Sequence, residues 1–130
     1  MNFLLDVNAL VALGIADHQF HIRVTAWAYS QSQLKLFTCS TTELGFVRIV
    51  AHVPQYHYNV AQAKILLLSL KDSPQLPFAF IPDNNDISRL PAWVQMPKQT
   101  TDGHLLELAK AHGAVLATFD AKIPGAFQIP

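Results

Sequence analysis

The sequence has little charge, a single cysteine and no long apolar run. Charged residues make up 14% of the chain and hydrophobic residues 51%, a balance too apolar for a disordered protein. The nine basic and nine acidic residues cancel at pH 7, so net charge provides no general attraction to nucleic acid. Because Cys39 is alone, no disulfide can form within the chain.

The sequence also indicates where the protein is located and how many domains it has. No apolar run approaches the ~20 residues of a membrane-spanning helix. Asp6 interrupts the first apolar run and no basic segment precedes it, which does not fit a signal peptide. We therefore expect a soluble, cytoplasmic protein without a membrane partner. Its 130 residues predict one domain, 1–130, large enough to bury a single core.

Short apolar runs alternate with helical patterns along the chain. The runs that predict strands are 2–5, 36–38, 78–81, 114–118 and 126–129. The periodic patterns that predict helices are 8–14, 17 or 18 to about 33, 40–53, 59–70 and 101–112. Strands that alternate with helices predict an α/β layered domain with a parallel sheet.

Four carboxylates stand at predicted element ends. Asp6 and Asp120 each follow an apolar run, whereas Glu43 and Asp102 each follow two threonines and open a helical pattern. In open parallel sheets, ligands bind beyond the carboxyl ends of the strands, where the following helices also begin. If the strands before Asp6 and Asp120 lie near each other in the sheet, all four acids therefore lie along the same edge.

Clustered carboxylates need compensation. Two unit charges 4 Å apart repel by about 4 kcal/mol at an effective dielectric near 20, so either protons or a cation must bind. No run of Lys or Arg stands beside these acids in the sequence. Oxygen ligands favour Mg²⁺ or Mn²⁺ over Zn²⁺, and such ions activate water for phosphodiester hydrolysis. Thr118, two residues before Asp120, is a candidate to orient a water or the metal shell.

Each acid also has a purely structural interpretation. Glu43 completes the capping-box pattern with Ser40, and Asp102 suits the positive end of a helix dipole. Asp6 could cap the next helix, and Asp120 could begin a turn. These explanations must hold four times independently, whereas a metal site accounts for all four acids together.

The chain resembles the PIN-domain ribonuclease family, and most nearly its VapC branch, the toxins of bacterial toxin–antitoxin modules. The motifs that carry the resemblance are L-L-D-V-N-A-L at 4–10, T-E-L at 42–44, T-D-G-H-L-L-E-L-A at 101–109 and G-A-V-L-A-T-F-D at 113–120. They extend over essentially the whole chain, in order. The resemblance implies a three-layer α/β/α fold around a short-stranded, mainly parallel sheet.

By this resemblance the protein is a metal-dependent endoribonuclease that cuts RNA, commonly transfer or ribosomal RNA. Asp6, Glu43, Asp102 and Asp120 would bind Mg²⁺ or Mn²⁺, Thr118 would accompany the last acid, and Asn8 would neighbour the first. The implied partners are a VapB-type antitoxin and a second copy of the chain. The basic residues that are candidates for RNA contacts are Arg23, Arg48, Lys98 and Lys122.

Two other classes remain open from the sequence. A receiver-like phosphoacceptor domain also places carboxylates around Mg²⁺, but it needs an adjacent acidic pair after the first strand. Asp6 stands alone, and Asp83, the candidate phosphoacceptor, directly follows Pro82. A non-catalytic PIN-fold binding module is the second alternative, which the intact set of four acids disfavours.

Overall fold

The computed structural model describes all residues from 1 to 130, and its centre is a five-stranded sheet. The strands are β1 (Asn2–Leu5), β2 (Lys35–Cys39), β3 (Phe78–Ile81), β4 (Val115–Thr118) and β5 (Phe127–Gln128). Their order is β3-β2-β1-β4-β5, and every pair is parallel. The predicted parallel sheet is confirmed, although β5 is shorter than expected.

Five α-helices connect and cover the strands. They are α1 (Val7–Gly14), α2 (His21–Ser30), α3 (Ser40–His52), α4 (Val60–Lys71) and α5 (Thr100–Ala111). Three single 3₁₀ turns, at Pro54–Tyr56, Ile87–Arg89 and Pro97–Gln99, occur in the connections. None of the helices is long and apolar enough to cross a membrane.

Alternation along β1 divides the core between the two faces of the sheet. Phe3 and Leu5 belong to the larger apolar cluster, which contains the buried hydrophobic residues of α1 to α4. Leu4 belongs to the smaller cluster, together with the apolar face of α5. Successive side chains of a strand point to opposite faces, so this central strand is buried on both sides. The result is the expected α/β/α layering.

Local chemistry sets several helix ends. Asn59 accepts a hydrogen bond from the Gln62 N–H at 2.8 Å, and the Gln62 side chain accepts one from the Asn59 N–H at 2.9 Å, a reciprocal cap for α4. Gly113 follows α5 with a φ of +66°, the left-handed conformation that favours glycine after a helix.

One helix start and one helix cap differ from the sequence prediction. Helix α2 begins at His21 rather than at 17 or 18, because His18 Nδ1 accepts the Phe20 N–H at 3.0 Å and holds a turn before it. The predicted capping box of Ser40 and Glu43 is wrong. Thr42 Oγ1 instead accepts from the Cys39 N–H at 3.0 Å, which leaves the Glu43 carboxylate for other partners.

Candidate active site

Asp6 lies immediately beyond β1, at the carboxyl edge of the sheet, and is only 6% exposed. Its Oδ1 accepts the Val7 N–H at 2.8 Å and thereby caps α1, while its Oδ2 accepts the Thr118 hydroxyl at 2.7 Å. Burial raises the pKa of Asp6, the two hydrogen bonds oppose that shift, and the charge of Asp120 adds to it. The predicted cap is thus confirmed for Asp6 Oδ1, whereas Oδ2 is bound by Thr118.

Thr118, the fully buried last residue of β4, connects two of the acids. Its Oγ1 donates to Asp6 and accepts the Asp120 N–H at 3.0 Å. Asn8 completes the arrangement, since its Nδ2 donates to Thr118 Oγ1 at 3.4 Å and its Oδ1 accepts the Phe119 N–H at 3.3 Å. The adjacent strands β1 and β4 therefore present Asp6 and Asp120 at one edge.

Asp102 occupies the first turn of α5 and is partly buried. Burial, followed by the charges of Asp6 and Asp120, raises its pKa to about 6. The three aspartates are thus close enough to repel one another. A cavity of about 240 Å³ opens beside them, with Asp102, Asp120, Lys98 and Lys122 among its lining residues.

Glu43, in the first turn of α3, has different surroundings. Its Oε2 accepts the Thr38 hydroxyl at 2.6 Å and lies 2.6 Å from Lys71 Nζ. No basic run stands beside Glu43 in the sequence, but the end of α4 brings Lys71 to it from 28 positions away. The role of Thr38 could have been predicted from the sequence, because Thr38 lies near the end of its strand, as Thr118 does.

A shared divalent ion requires the acids of the site to approach one another closely. No three His, Cys, Asp or Glu side chains stand close enough in this arrangement to hold an ion jointly. The donor chemistry nevertheless fits, because Asp6, Asp102 and Asp120 offer only carboxylate oxygens, the ligands of Mg²⁺ and Mn²⁺. The pKa of Asp102 is raised first by burial and then by the charges of Asp6 and Asp120, and a bound cation would offset this second contribution.

Two of the four basic candidates for RNA contacts lie at this site. Lys98 and Lys122 line the cavity beside the aspartates. Arg23 instead donates to the carbonyls of Ile129 and Pro130, at 3.3 and 3.1 Å, and so fastens the end of the chain. Arg48 lines a surface groove with other residues of α3, away from the aspartates.

The parallel sheet with acids beyond its carboxyl edge defines an α/β domain of the PIN class. The chain belongs to the PIN domain family, whose model matches residues 3–126. This membership favours the nuclease interpretation over the receiver-like one. The structure agrees, because Asp83, the receiver's candidate phosphoacceptor, is paired with His104 Nε2 at 2.5 Å.

Similar proteins show to which branch of the family the chain belongs. It is 38% identical over 125 residues to Ribonuclease VapC38 of Mycobacterium tuberculosis, an alignment that covers 92% of this chain and 86% of the relative. It is 36% identical over 129 residues to Ribonuclease VapC44 of the same species, with 95% and 89% covered. The chain is therefore a VapC-type member of the PIN-domain ribonucleases.

Solved structures give the same fold. Mycobacterium tuberculosis VapC20, a Sarcin-Ricin loop cleaving toxin, superposes with a TM-score of 0.64 at 10% identity, over 93% of this chain and 92% of that one. VapBC2 from Rickettsia felis, bound to a DNA fragment from their promoter, gives 0.60 at 13% identity, over 98% and 97%. At such identities the likeness concerns the fold alone.

Proposed function

We propose that this protein is a metal-dependent endoribonuclease and the toxin of a type II toxin–antitoxin module. The observation that carries the proposal is the placement of Asp6 and Asp120 at one edge of the sheet through Thr118. Asp102 lies near them, and burial, followed by the charges of Asp6 and Asp120, raises its pKa to about 6. The names of the relatives, ribonucleases of the VapC type, support the class of reaction.

In this proposal Asp6, Asp102 and Asp120 would supply carboxylate oxygens to Mg²⁺ or Mn²⁺ after side-chain movements that bring them within reach of one ion, and Glu43 is the fourth acid. A bound ion of this kind lowers the pKa of a water ligand and stabilises charge on phosphoryl oxygens. Thr118 fixes the orientation of Asp6 and of the segment that carries Asp120. The Thr118 side chain therefore positions two acids without contacting the substrate.

The substrate we propose is RNA, with transfer or ribosomal RNA as the specific class. Lys98 and Lys122 border the cavity next to Asp102 and Asp120, where two positive charges suit backbone phosphates. Sequencing of RNA ends after induced expression would identify the cleaved molecule and the position of the cut. Cuts spread over all RNAs without preference would contradict a dedicated structured target.

A VapB-type antitoxin is the proposed protein partner, and the fold's likeness to the toxin of a VapBC complex supports it. Co-purification with the product of the neighbouring reading frame would test it. The homodimer and the cytoplasmic location stay predictions. Analytical ultracentrifugation tests the first, and cell fractionation tests the second.

The central test is the loss of cleavage in Asp6→Asn and Asp102→Asn. Each change removes a carboxylate charge and preserves side-chain size, so we expect the fold to persist and RNA cleavage in Mn²⁺ to disappear. Glu107→Gln is the matched control, because Glu107 lies on the same helix as Asp102 but pairs with Lys110. Wild-type cleavage by either aspartate variant would refute the proposal.

A further inference from the structure

A second cavity opens at the start of α5, next to the one that contains Asp102. It measures about 340 Å³ and is lined by Thr41 of α3, by residues 85–87 with Leu90, and by Thr100, Thr101 and His104 of α5. Thr101 directly precedes Asp102 in the chain, and Asp102 lines the neighbouring cavity beside Asp120. The first turn of α5 therefore contributes to both cavities, and a ligand that fills one lies close to the other.

The side-chain amide of Asn85 is the most unusual group of this cavity. Its Nδ2 is buried and has no hydrogen-bond partner. The two other buried side-chain atoms without a partner, Thr25 Oγ1 and Trp27 Nε1, both lie on α2. An unpaired buried donor destabilises a protein, so such a group calls for an explanation. A ligand that accepts a hydrogen bond in the cavity would satisfy this donor after a rotation of the amide.

Hydrogen bonds fix the segment that carries Asn85. Asp83 Oδ1 accepts the Asn85 N–H at 3.0 Å, and Asp83 Oδ2 is paired with His104 Nε2 at 2.5 Å. One carboxylate thus ties the segment to α5. Asp86 Oδ1 accepts the Ser88 N–H at 2.9 Å and begins the 3₁₀ turn that follows. The wall of the cavity is therefore ordered before any ligand binds.

The lining chemistry favours a neutral, flat ligand over a phosphate. No Lys or Arg lines this cavity, whereas the Asp86 carboxylate does, and it would repel a phosphate. Ile87 is 79% exposed and Leu90 is half-buried, so both offer apolar surface to a ligand. Proteins recognise an unpaired RNA base by contacts with its faces and hydrogen bonds to its edge. An apolar wall beside a free amide donor has both features.

We propose that this cavity is a subsite for one unpaired nucleobase of the RNA substrate. The Asn85 amide binds the edge of the base, and Ile87 and Leu90 contact its face. The inference rests on the proposed RNA-cleaving function and deepens it, because it makes Asn85 a specificity-determining residue. The neighbouring cavity, with Lys98 and Lys122, is left for the backbone phosphates.

The first experiment is cleavage of a random-sequence single-stranded RNA library in Mn²⁺, with sequencing of the new ends. The wild type is expected to prefer certain bases at one position near the cut. Asn85→Ala and Ile87→Ala should each reduce that preference by about fivefold or more. Asn84→Ala is the matched control, because Asn84 is exposed and does not line the cavity. An unchanged preference in both cavity variants, or none in the wild type, would overturn the subsite.

The second experiment measures binding without cleavage. Fluorescence anisotropy in EDTA at low salt would follow labelled adenylate, cytidylate and uridylate hexamers and a hexamer that lacks all its bases. Asn85→Ala should weaken the preferred base-containing hexamer by about fivefold or more and leave the abasic hexamer unchanged. Equal losses for both kinds of hexamer would show that the amide contributes to backbone binding or folding, which would overturn the subsite.

The two variants keep the inference testable at the level of folding. Asn85 Nδ2 has no partner to lose, and Ile87 is exposed, so thermal unfolding of both variants should match that of the wild type. The outcomes also separate the subsite from the proposed function. RNA cleavage with unaltered base preference in both variants would overturn the subsite alone. Base-dependent binding that needs Asn85, in a protein that cleaves no RNA, would support the subsite and overturn the nuclease.

Discussion

At the scale of single residues, the Thr118 hydroxyl determines how two acids from different parts of the chain are arranged. It donates to Asp6 and accepts from the backbone of Asp120, and it is fully buried. A buried hydroxyl with partners on both sides has a fixed rotamer, so the acids it contacts are fixed with it. Thr38 has a comparable relation to Glu43 on the neighbouring strand β2.

Replacement of Thr118 by Val should destabilise the protein and raise the pKa of Asp6 further. The change leaves the buried Asp6 Oδ2 without its donor, a loss of about 1–3 kcal/mol. Urea unfolding at neutral pH in EDTA would measure it, with Thr118→Ser, which keeps the hydroxyl, as the control. Equal stability of the Val and Ser variants would show that the hydrogen bond contributes nothing.

Asp102 should make stability depend on pH in a known direction. Its folded-state pKa of about 6 lies above the ordinary 3.8, so the folded protein holds this proton more tightly than the unfolded chain. The stabilisation is present below pH 3.8 and is lost as pH rises through about 6.

The measurement compares wild type with Asp102→Asn, which stays neutral at every pH, by denaturant unfolding in EDTA. The stability advantage of the Asn variant should grow between about pH 4 and pH 7 and then level off. Subtraction of the two profiles removes the titration of groups that do not interact with Asp102. A constant difference across this range would contradict the raised folded-state pKa of Asp102.

At the scale of elements, the start of α5 fits closely against the preceding segment. A Cβ at Gly103 would lie 2.4 Å from Val94 Cγ2 and 3.2 Å from Pro91 Cδ. The absence of a side chain at Gly103 thus allows this segment to cover the first turn of the helix, where Asp102 lies. The packing of this segment against α5 thereby helps to determine the position of the Asp102 carboxylate.

Gly103→Ala should therefore destabilise the fold in spite of its better helix propensity. Alanine gains about 1 kcal/mol over glycine within a helix, but overpacking of this contact costs about 1–3 kcal/mol. Thermal unfolding would show a lower midpoint, and adding Val94→Ala should restore part of the loss. If the single variant is more stable than wild type, the contact is looser than its geometry indicates.

At the scale of the whole molecule, the order of the parallel strands brings the aspartates of the candidate site to one edge of the sheet. The central strands β1 and β4 are neighbours, and α5 packs on both from one face, so Asp6, Asp120 and Asp102 meet at one edge. Their like charges oppose folding, and a bound cation would offset that repulsion. The metal-free protein is thus expected to be less stable than the loaded one.

Mn²⁺ should accordingly raise the melting temperature of the wild type. A ligand at 100 times its dissociation constant adds about 2.7 kcal/mol of stability, which corresponds to several degrees for a domain of this size. Differential scanning calorimetry with Mn²⁺, and with KCl of equal ionic strength as the screening control, would measure the shift. A rise in wild type that persists fully in Asp102→Asn would place the ion elsewhere.

Much of the fold could be predicted from the sequence because its signals are local. The apolar runs at 78–81 and 114–118 and the helical pattern ended by Gly113 correspond to β3, β4 and α5 within a residue or two. The predicted capping box failed because Ser40 and Glu43 fit a local pattern equally well, whereas the fold offered Glu43 stronger partners in Thr38 and Lys71.

The sequence by itself determined the alternation of strands and helices and the placement of acids at element ends, because periodicity and capping act over a few residues. Only the tertiary structure decided which side chains meet. Asp6 and Thr118 are 112 positions apart, and Lys71 and Glu43 are 28 apart, yet each pair is in contact. Such pairs depend on strand order and helix packing, which are set by burial of the whole core rather than by any local pattern.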